Sequence, residues 1–134
     1  MRVVVLSLVC LLSMAGVAAA ENWKPSPGES GLYYDQDYLK VDKDTGLVIG
    51  RVAEGKANGP YKGWPAAGKG PIMLYALDCD GDKFMNVGLD MTGAGGLEKN
   101  WRKEEKLDDM SGGAGHWAKE ACAQKASLPV VAVP

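Results

Sequence analysis

The sequence predicts an α+β domain: an antiparallel β-sheet of about five to six strands, with a C-terminal helix pinned by one disulfide. Three observations carry that expectation. An unbroken apolar run at residues 72–77 is answered by residues 83–89 across Asp80-Gly81, a pair suited to the positive φ values of a two-residue type I′ hairpin turn. Residues 116–125 place Trp117, Ala118, Ala121 and Cys122 on one side of a helix, with Lys119, Glu120 and Gln124 on the wetter face. Finally, Cys79 and Cys122 are the two cysteines that remain once an N-terminal leader is removed.

The hairpin is the element around which the rest is organised. With Asp80 and Gly81 at its tip, Asp78 faces Lys83, Leu77 faces Phe84, Tyr75 faces Asn86 and Leu74 faces Val87. One face then carries Ile72, Leu74, Ala76, Met85, Val87 and Leu89, closed at the turn by an Asp78–Lys83 charge pair. The other carries Met73, Tyr75, Leu77, Phe84 and Cys79. Apolar side chains on both faces imply a central hairpin covered on both sides, at least in part.

Residues 1–20 read as a signal peptide: Arg2, an apolar run over 3–17, and Ala18-Ala19-Ala20 as a cleavage site before Glu21. That run is too short for a transmembrane anchor, and no second apolar segment of spanning length follows it. Cleavage discards Cys10 and Arg2, moving the net charge from −2 to about −3. Such a balance gives no electrostatic case for nucleic acid or an anionic membrane surface. An exported product meets an oxidising compartment, either the periplasm or the cell exterior, where an even pair of cysteines is expected to join.

The single domain is expected over residues 21–127. Residues 21–31 read as a loose lead-in anchored by Trp23, residues 32–39 as an aromatic strand, and 47–52 as a second strand beyond the turn Asp42-Lys43-Asp44-Thr45-Gly46. These two strands suggest another hairpin. Residues 53–70 form a long Gly/Pro/Ala loop containing Tyr61 and Trp64; a loop of that length is either mobile or functional. The charged run 98–109 around Trp101 and Leu107 fits either an edge strand at 99–103 or a short helical turn. Residues 128–134 read as a flexible apolar tail.

Candidate chemistry is sparse. Asp78, Asp80 and Asp82 around Gly81 echo part of a calcium loop, but the twelfth position, where a bidentate Glu is needed, is Leu89. The Asp and Gly residues here, and at 42–46, are expected to serve the turns themselves. His116 is the only histidine and reads as a surface or capping group. Neither a nucleophile constellation nor a glycosidase-like carboxylate pair stands out, so no catalytic residue, metal or cofactor is assigned and the chain is not expected to be an enzyme. Tyr61, Trp64 and Trp101 are the candidate partner-binding aromatics.

Trp23 after the leader, Tyr33-Tyr34-Asp35, the strand at 47–52, Tyr75…Asp78-Cys79, Trp101 and the closing Trp117…Cys122 helix together give a chain that resembles the surface-adhesin protein E family of Gram-negative bacteria. That resemblance implies an antiparallel sheet with a C-terminal helix fixed by one disulfide, and a non-catalytic role in binding a host or cell-envelope protein. A second likeness, in Tyr75…Cys79-Asp80-Gly81…Phe84, is to the C-type lysozyme inhibitors, small disulfide-tied barrels. It implies instead a periplasmic inhibitor of a wall hydrolase. A helical Cys122 separates the two.

Overall fold

A computed structural model of the chain describes residues 21–28, 31–54, 72–90, 96–103, 107–110 and 115–134. The proposed leader and the loop carrying Tyr61 and Trp64 lie outside the described residues. The strands are β1 (Trp23–Pro25), β2 (Leu32–Asp35), β3 (Lys40–Asp42), β4 (Val48–Glu54), β5 (Ile72–Asp78), β6 (Lys83–Asp90), β7 (Asp108–Asp109) and β8 (Val130–Val131), with one helix α1 (Gly115–Ala123) between β7 and β8. They form a sheet in the order β1-β2-β4-β5-β6-β7, while β3 also pairs with β4 and β8 with β3. Every pairing is antiparallel except β3 with β8. The fold is therefore the expected α+β sheet and helix, joined by Cys79–Cys122 with Cα atoms 5.4 Å apart. The strand count exceeds expectation because β1, β7 and β8 are edge strands of two or three residues. No helix among the described residues is long and apolar enough to cross a membrane.

Both faces of the sheet are covered. On one, Trp117, Ala118 and Ala121 of α1 pack with Tyr34, Val48, Val52 and Leu77. On the other, Ile49, Leu74, Ala76, Met85 and Val87 are capped by Trp101 and Val133. Alternation along β4 produces this division, because successive side chains point to opposite faces.

Trp117 can lie so close to the sheet because β4 offers Gly50 beneath it. A Cβ at Gly50 would stand 2.9 Å from the Trp117 ring and 3.1 Å from Leu39. Gly50→Ala is expected to destabilise the protein by about 1–3 kcal/mol through overpacking, measured as the urea midpoint with an unchanged slope. No loss would mean the ring can shift sideways.

The central hairpin keeps its expected register near the turn, with Asp78 opposite Lys83, Leu77 opposite Phe84 and Tyr75 opposite Asn86. Beyond that a bulge intervenes, and Leu74 faces Gly88 rather than Val87. The extra residue reverses the faces further on. Leu89 joins the Met73 side and is 53% exposed, while Asp90 turns inward, 3% exposed, opposite Ile72. The turn itself spans residues 79–82, with its positive φ at Asp82 (53°) and not at Asp80-Gly81. It is thus a four-residue loop, not type I′. Asp78 does not form the expected ion pair with Lys83 but accepts hydrogen bonds from the backbone N–H groups of Asp80 (3.2 Å) and Gly81 (3.0 Å). A Cβ on Gly81 would meet that carboxylate, which would have to turn aside.

Several expected elements are resolved differently. The aromatic strand expected at 32–39 ends at Asp35, where a 3-10 turn at Gln36–Tyr38 takes over; β2 and the following β3, which lies beyond the expected span, both pair with β4. The lead-in is an edge strand, Trp23 opposite Asp35. The charged run holds a 3-10 turn at Trp101–Lys103 and the short strand β7.

Most consequentially, residues 128–134 are not a flexible tail. Val41 N–H donates to Pro129 C=O and Lys43 N–H to Val131 C=O, both at 2.9 Å or less, and Val133 is only 4% exposed. The folded unit therefore runs past residue 127.

Candidate binding site

The face opposite α1 carries the site. Charged residues interrupt the apolar alternation there: Arg51 sits within the β4 run Val-Ile-Gly-Arg-Val, and Lys40 opens β3 opposite Ile49. Asp35 organises them. As the cap of the Gln36–Tyr38 turn it accepts from the N–H groups of Asn22 (2.9 Å) and Asp37 (3.1 Å) through Oδ1. Its Oδ2 accepts from Arg51 Nε (2.9 Å) and Nη2 (2.6 Å). The turn thereby aims the Tyr38 ring across the site. Lys40 Nζ lies 3.8 Å from the ring centroid and the Arg51 guanidinium carbon 4.6 Å from it, both within cation–π range.

Above this group is an open cleft of about 500 Å³, lined by Tyr38, Lys40, Leu97, Glu98, Lys99 and Pro134. A smaller recess of about 240 Å³ adjoins the same Tyr38 and Lys40, bounded by Asp35, Arg51, Pro129 and Val131. Residues 96–98 can lie close on β6 because glycine occurs on both sides of the contact. A Cβ at Gly88 would strike the Gly96 carbonyl, and one at Gly96 would lie 2.6 Å from the Leu89 carbonyl. Gly88 pairs with Leu97 across this junction, and Glu98 N–H donates to Val87 C=O at 2.8 Å. The bulge in β6 is thus the seat of the cleft's far wall.

The electrostatics of the cleft are uneven. Burial, then the Arg51 charge, lowers the Lys40 ammonium below the ordinary lysine value. Burial raises the Tyr38 phenol, with Arg51 pulling it partly back and Asp90 and Asp35 adding to the rise. Arg51 has Asp35 as its counter-ion, and also reaches Glu21 at 3.3 Å. Among the described residues no carboxylate pairs with Lys40.

The near wall is fixed by a second ion pair. Asp42, fully buried, accepts from Arg102 Nη2 (2.8 Å) and Nε (3.1 Å), from the Thr45 hydroxyl (2.7 Å) and from Val133 N–H (3.3 Å). Burial pushes this carboxyl up, yet the hydrogen bonds from Arg102, Thr45 and Val133, with the Arg102 charge, outweigh it and hold it down to about 2. Arg102 also donates to the Val133 carbonyl, and Trp101 Nε1 donates to the Pro134 carbonyl at 3.2 Å. These contacts place Pro134 at the edge of the cleft.

Of the sequence-predicted site residues, Cys79 and Cys122 form the disulfide, while Tyr61 and Trp64 fall outside the described residues. Trp101 is a correction: at 1% exposure it is a core side chain beneath the chain end, not a surface anchor. Its charged neighbours in sequence concealed this, because a 3-10 turn sends Trp101 inward while Arg102 and Lys103 point elsewhere. Tyr38, Lys40 and Arg51 were not singled out. The available signal was a cation inside the apolar run of β4 and another at the head of β3, whose sequence is Lys-Val-Asp. No group of three or more His, Cys, Asp or Glu that could hold a metal ion occurs among the described residues. No family model, curated protein or solved structure matches this chain.

Proposed function

We propose that this chain is a non-catalytic, exported binding domain that engages a protein or cell-envelope partner, as its likeness to the adhesin E family implies. The observation that carries this reading is the cleft over Tyr38. It is concave, walled by aromatic and aliphatic side chains with a few charged groups, and its floor, Tyr38 of the 3-10 turn and Lys40 of β3, sits beside the Asp35–Arg51 and Asp42–Arg102 pairs. A site fixed in this way is pre-organised for recognition. Those pairs neutralise Asp35, Arg51, Asp42 and Arg102, leaving them in positioning roles. The disulfide supports export, since such bonds persist in oxidising compartments. Cys122 lies within α1, which favours the sheet-plus-helix reading over the wall-hydrolase inhibitor.

Immobilised protein challenged with envelope extract and host matrix tests the proposal. Capture of a partner is expected, with retention reduced about tenfold or more by Leu97→Asp, which puts a charge into an apolar contact. Equal retention by the variant removes the cleft from the reading. Lysozyme inhibition by the unaltered protein would establish the inhibitor instead.

A further inference from the structure

We infer that the Tyr38–Lys40 cleft takes a single carboxylate carried on an apolar body, with the Lys40 ammonium as its counter-ion. The inference rests on the binding-domain reading above and names the chemistry of its ligand. Arg51 is neutralised by Asp35 at 2.6 Å and Arg102 by Asp42 at 2.8 Å. Lys40 is half-buried, touches the Tyr38 ring at 3.8 Å, and has no carboxylate partner among the described residues. A partly desolvated cation without a counter-ion costs free energy that an incoming anion recovers. Among the described residues one charge inside the cleft stands unneutralised, and it calls for one negative charge in the ligand. Lys99, exposed on the rim, assists its approach, and Glu98 beside it disfavours a second negative charge.

The remainder of the lining defines the rest of the ligand. Leu97, Pro134 and the Tyr38 ring offer apolar walls, and about 500 Å³ lies within the usual range for small-molecule sites. A phosphate or sulfate alone would leave those walls wet. An aliphatic carboxylate, or the C-terminal carboxylate of an apolar peptide, fills both halves of the site.

Lys40 is moreover placed against its own interest. Burial and the neighbouring Arg51 both oppose its charge. Residues that destabilise the protein in which they sit are expected at binding sites. A merely structural Lys40 would stabilise through its contact with Tyr38, and its loss would lower the melting temperature. A ligand-binding Lys40 leaves melting unchanged or raised when replaced.

The test uses the full exported chain with ¹⁵N,¹³C-labelled lysine, titrated with hexanoate and with acetyl-Ala-Val-Leu bearing a free carboxylate. Hexanamide and the amidated peptide serve as controls. The Lys40 side-chain resonance is expected to shift and saturate with the acids. Affinity should fall about tenfold or more with the amides and in Lys40→Gln, and recover in Lys40→Arg. The melting temperature of Lys40→Gln should equal or exceed that of the unaltered protein. A peptide tighter than hexanoate by tenfold identifies a protein terminus as the source; equal affinities identify a small carboxylate. Equal binding of acid and amide, or no binding of either, overturns the inference, and that comparison needs no variant. Partner capture that persists alongside that outcome would leave the binding-domain reading standing.

Discussion

Asp42→Ala is expected to cost about 3 kcal/mol, because the substitution strips five hydrogen bonds from a fully buried carboxylate, two of them from a guanidinium. The figure stands at the low end for buried pairs because the Arg102 side chain is 31% exposed and can turn to water. Val133 N–H, by contrast, is left buried without its acceptor. The loss should show as a fall in melting temperature of roughly 10 °C or more in a chain of this size. It should also be local before it is global. The amides of Val41 and Lys43, which donate to Pro129 and Val131, should lose hydrogen-exchange protection ahead of those in β5, since residues 129–134 detach first. The same site sets an acid limit. The folded-state value of Asp42, about 2, lies below its ordinary 3.8. Its contribution is therefore complete above about pH 3.8 and is lost as pH falls towards 2. An acid titration of the unaltered protein should release these amides within that window, and the alanine variant should show no such step. Uniform loss of protection across the sheet would show that residues 129–134 are an integral strand and not a separable one.

Asp42 also illustrates how much the sequence discloses. Its position in a turn was legible, because Asp, Thr and Gly at 42–46 can satisfy their own backbone: Thr45 N–H donates to Asp42 Oδ2, and Gly46 takes φ of 73°. Its partner sixty residues later was not legible, since nothing local distinguishes Arg102 from the lysines around it. Residues 128–134 were misread for a related reason. Two prolines in a short terminal segment suggest fraying, but the Val-Val-x-Val pattern has period two, and Val133 uses it to reach the core beside Trp101. The hairpin was legible up to the bulge. There the cause is the long-range junction with Gly96 and Leu97, which alternation within one strand cannot encode. The cleft needed all of these at once. It exists because a bulge, a broken strand and a returning chain end meet on the face away from the helix.

The disulfide is where composition alone made a strong statement, and its removal carries the largest expected effect. Cys79 and Cys122 are separated by 43 residues, and closing a loop of that length is worth about 4 kcal/mol if the bond acts by restricting the unfolded chain. In urea that corresponds to a fall in midpoint of roughly 2 M. The Cys79→Ser, Cys122→Ser double variant is the appropriate comparison, because it leaves no odd thiol. The native state should survive the change. Trp117, Ala118 and Ala121 remain fully buried against Tyr34, Val48 and Leu77, and Tyr75 still packs at 5.7 Å from the Trp117 ring. A nine-residue helix has little stability of its own, so whatever order α1 keeps in the variant measures that packing. Near-UV circular dichroism from Trp117 should therefore be preserved while the midpoint drops. If instead the tryptophan signal collapses in water, the bond is holding α1 in place within the folded protein, and Gly50 is only a vacancy that the ring happens to fill. If neither observable moves, the packing over Gly50 is sufficient by itself, and Gly50→Ala then becomes the more damaging of the two changes.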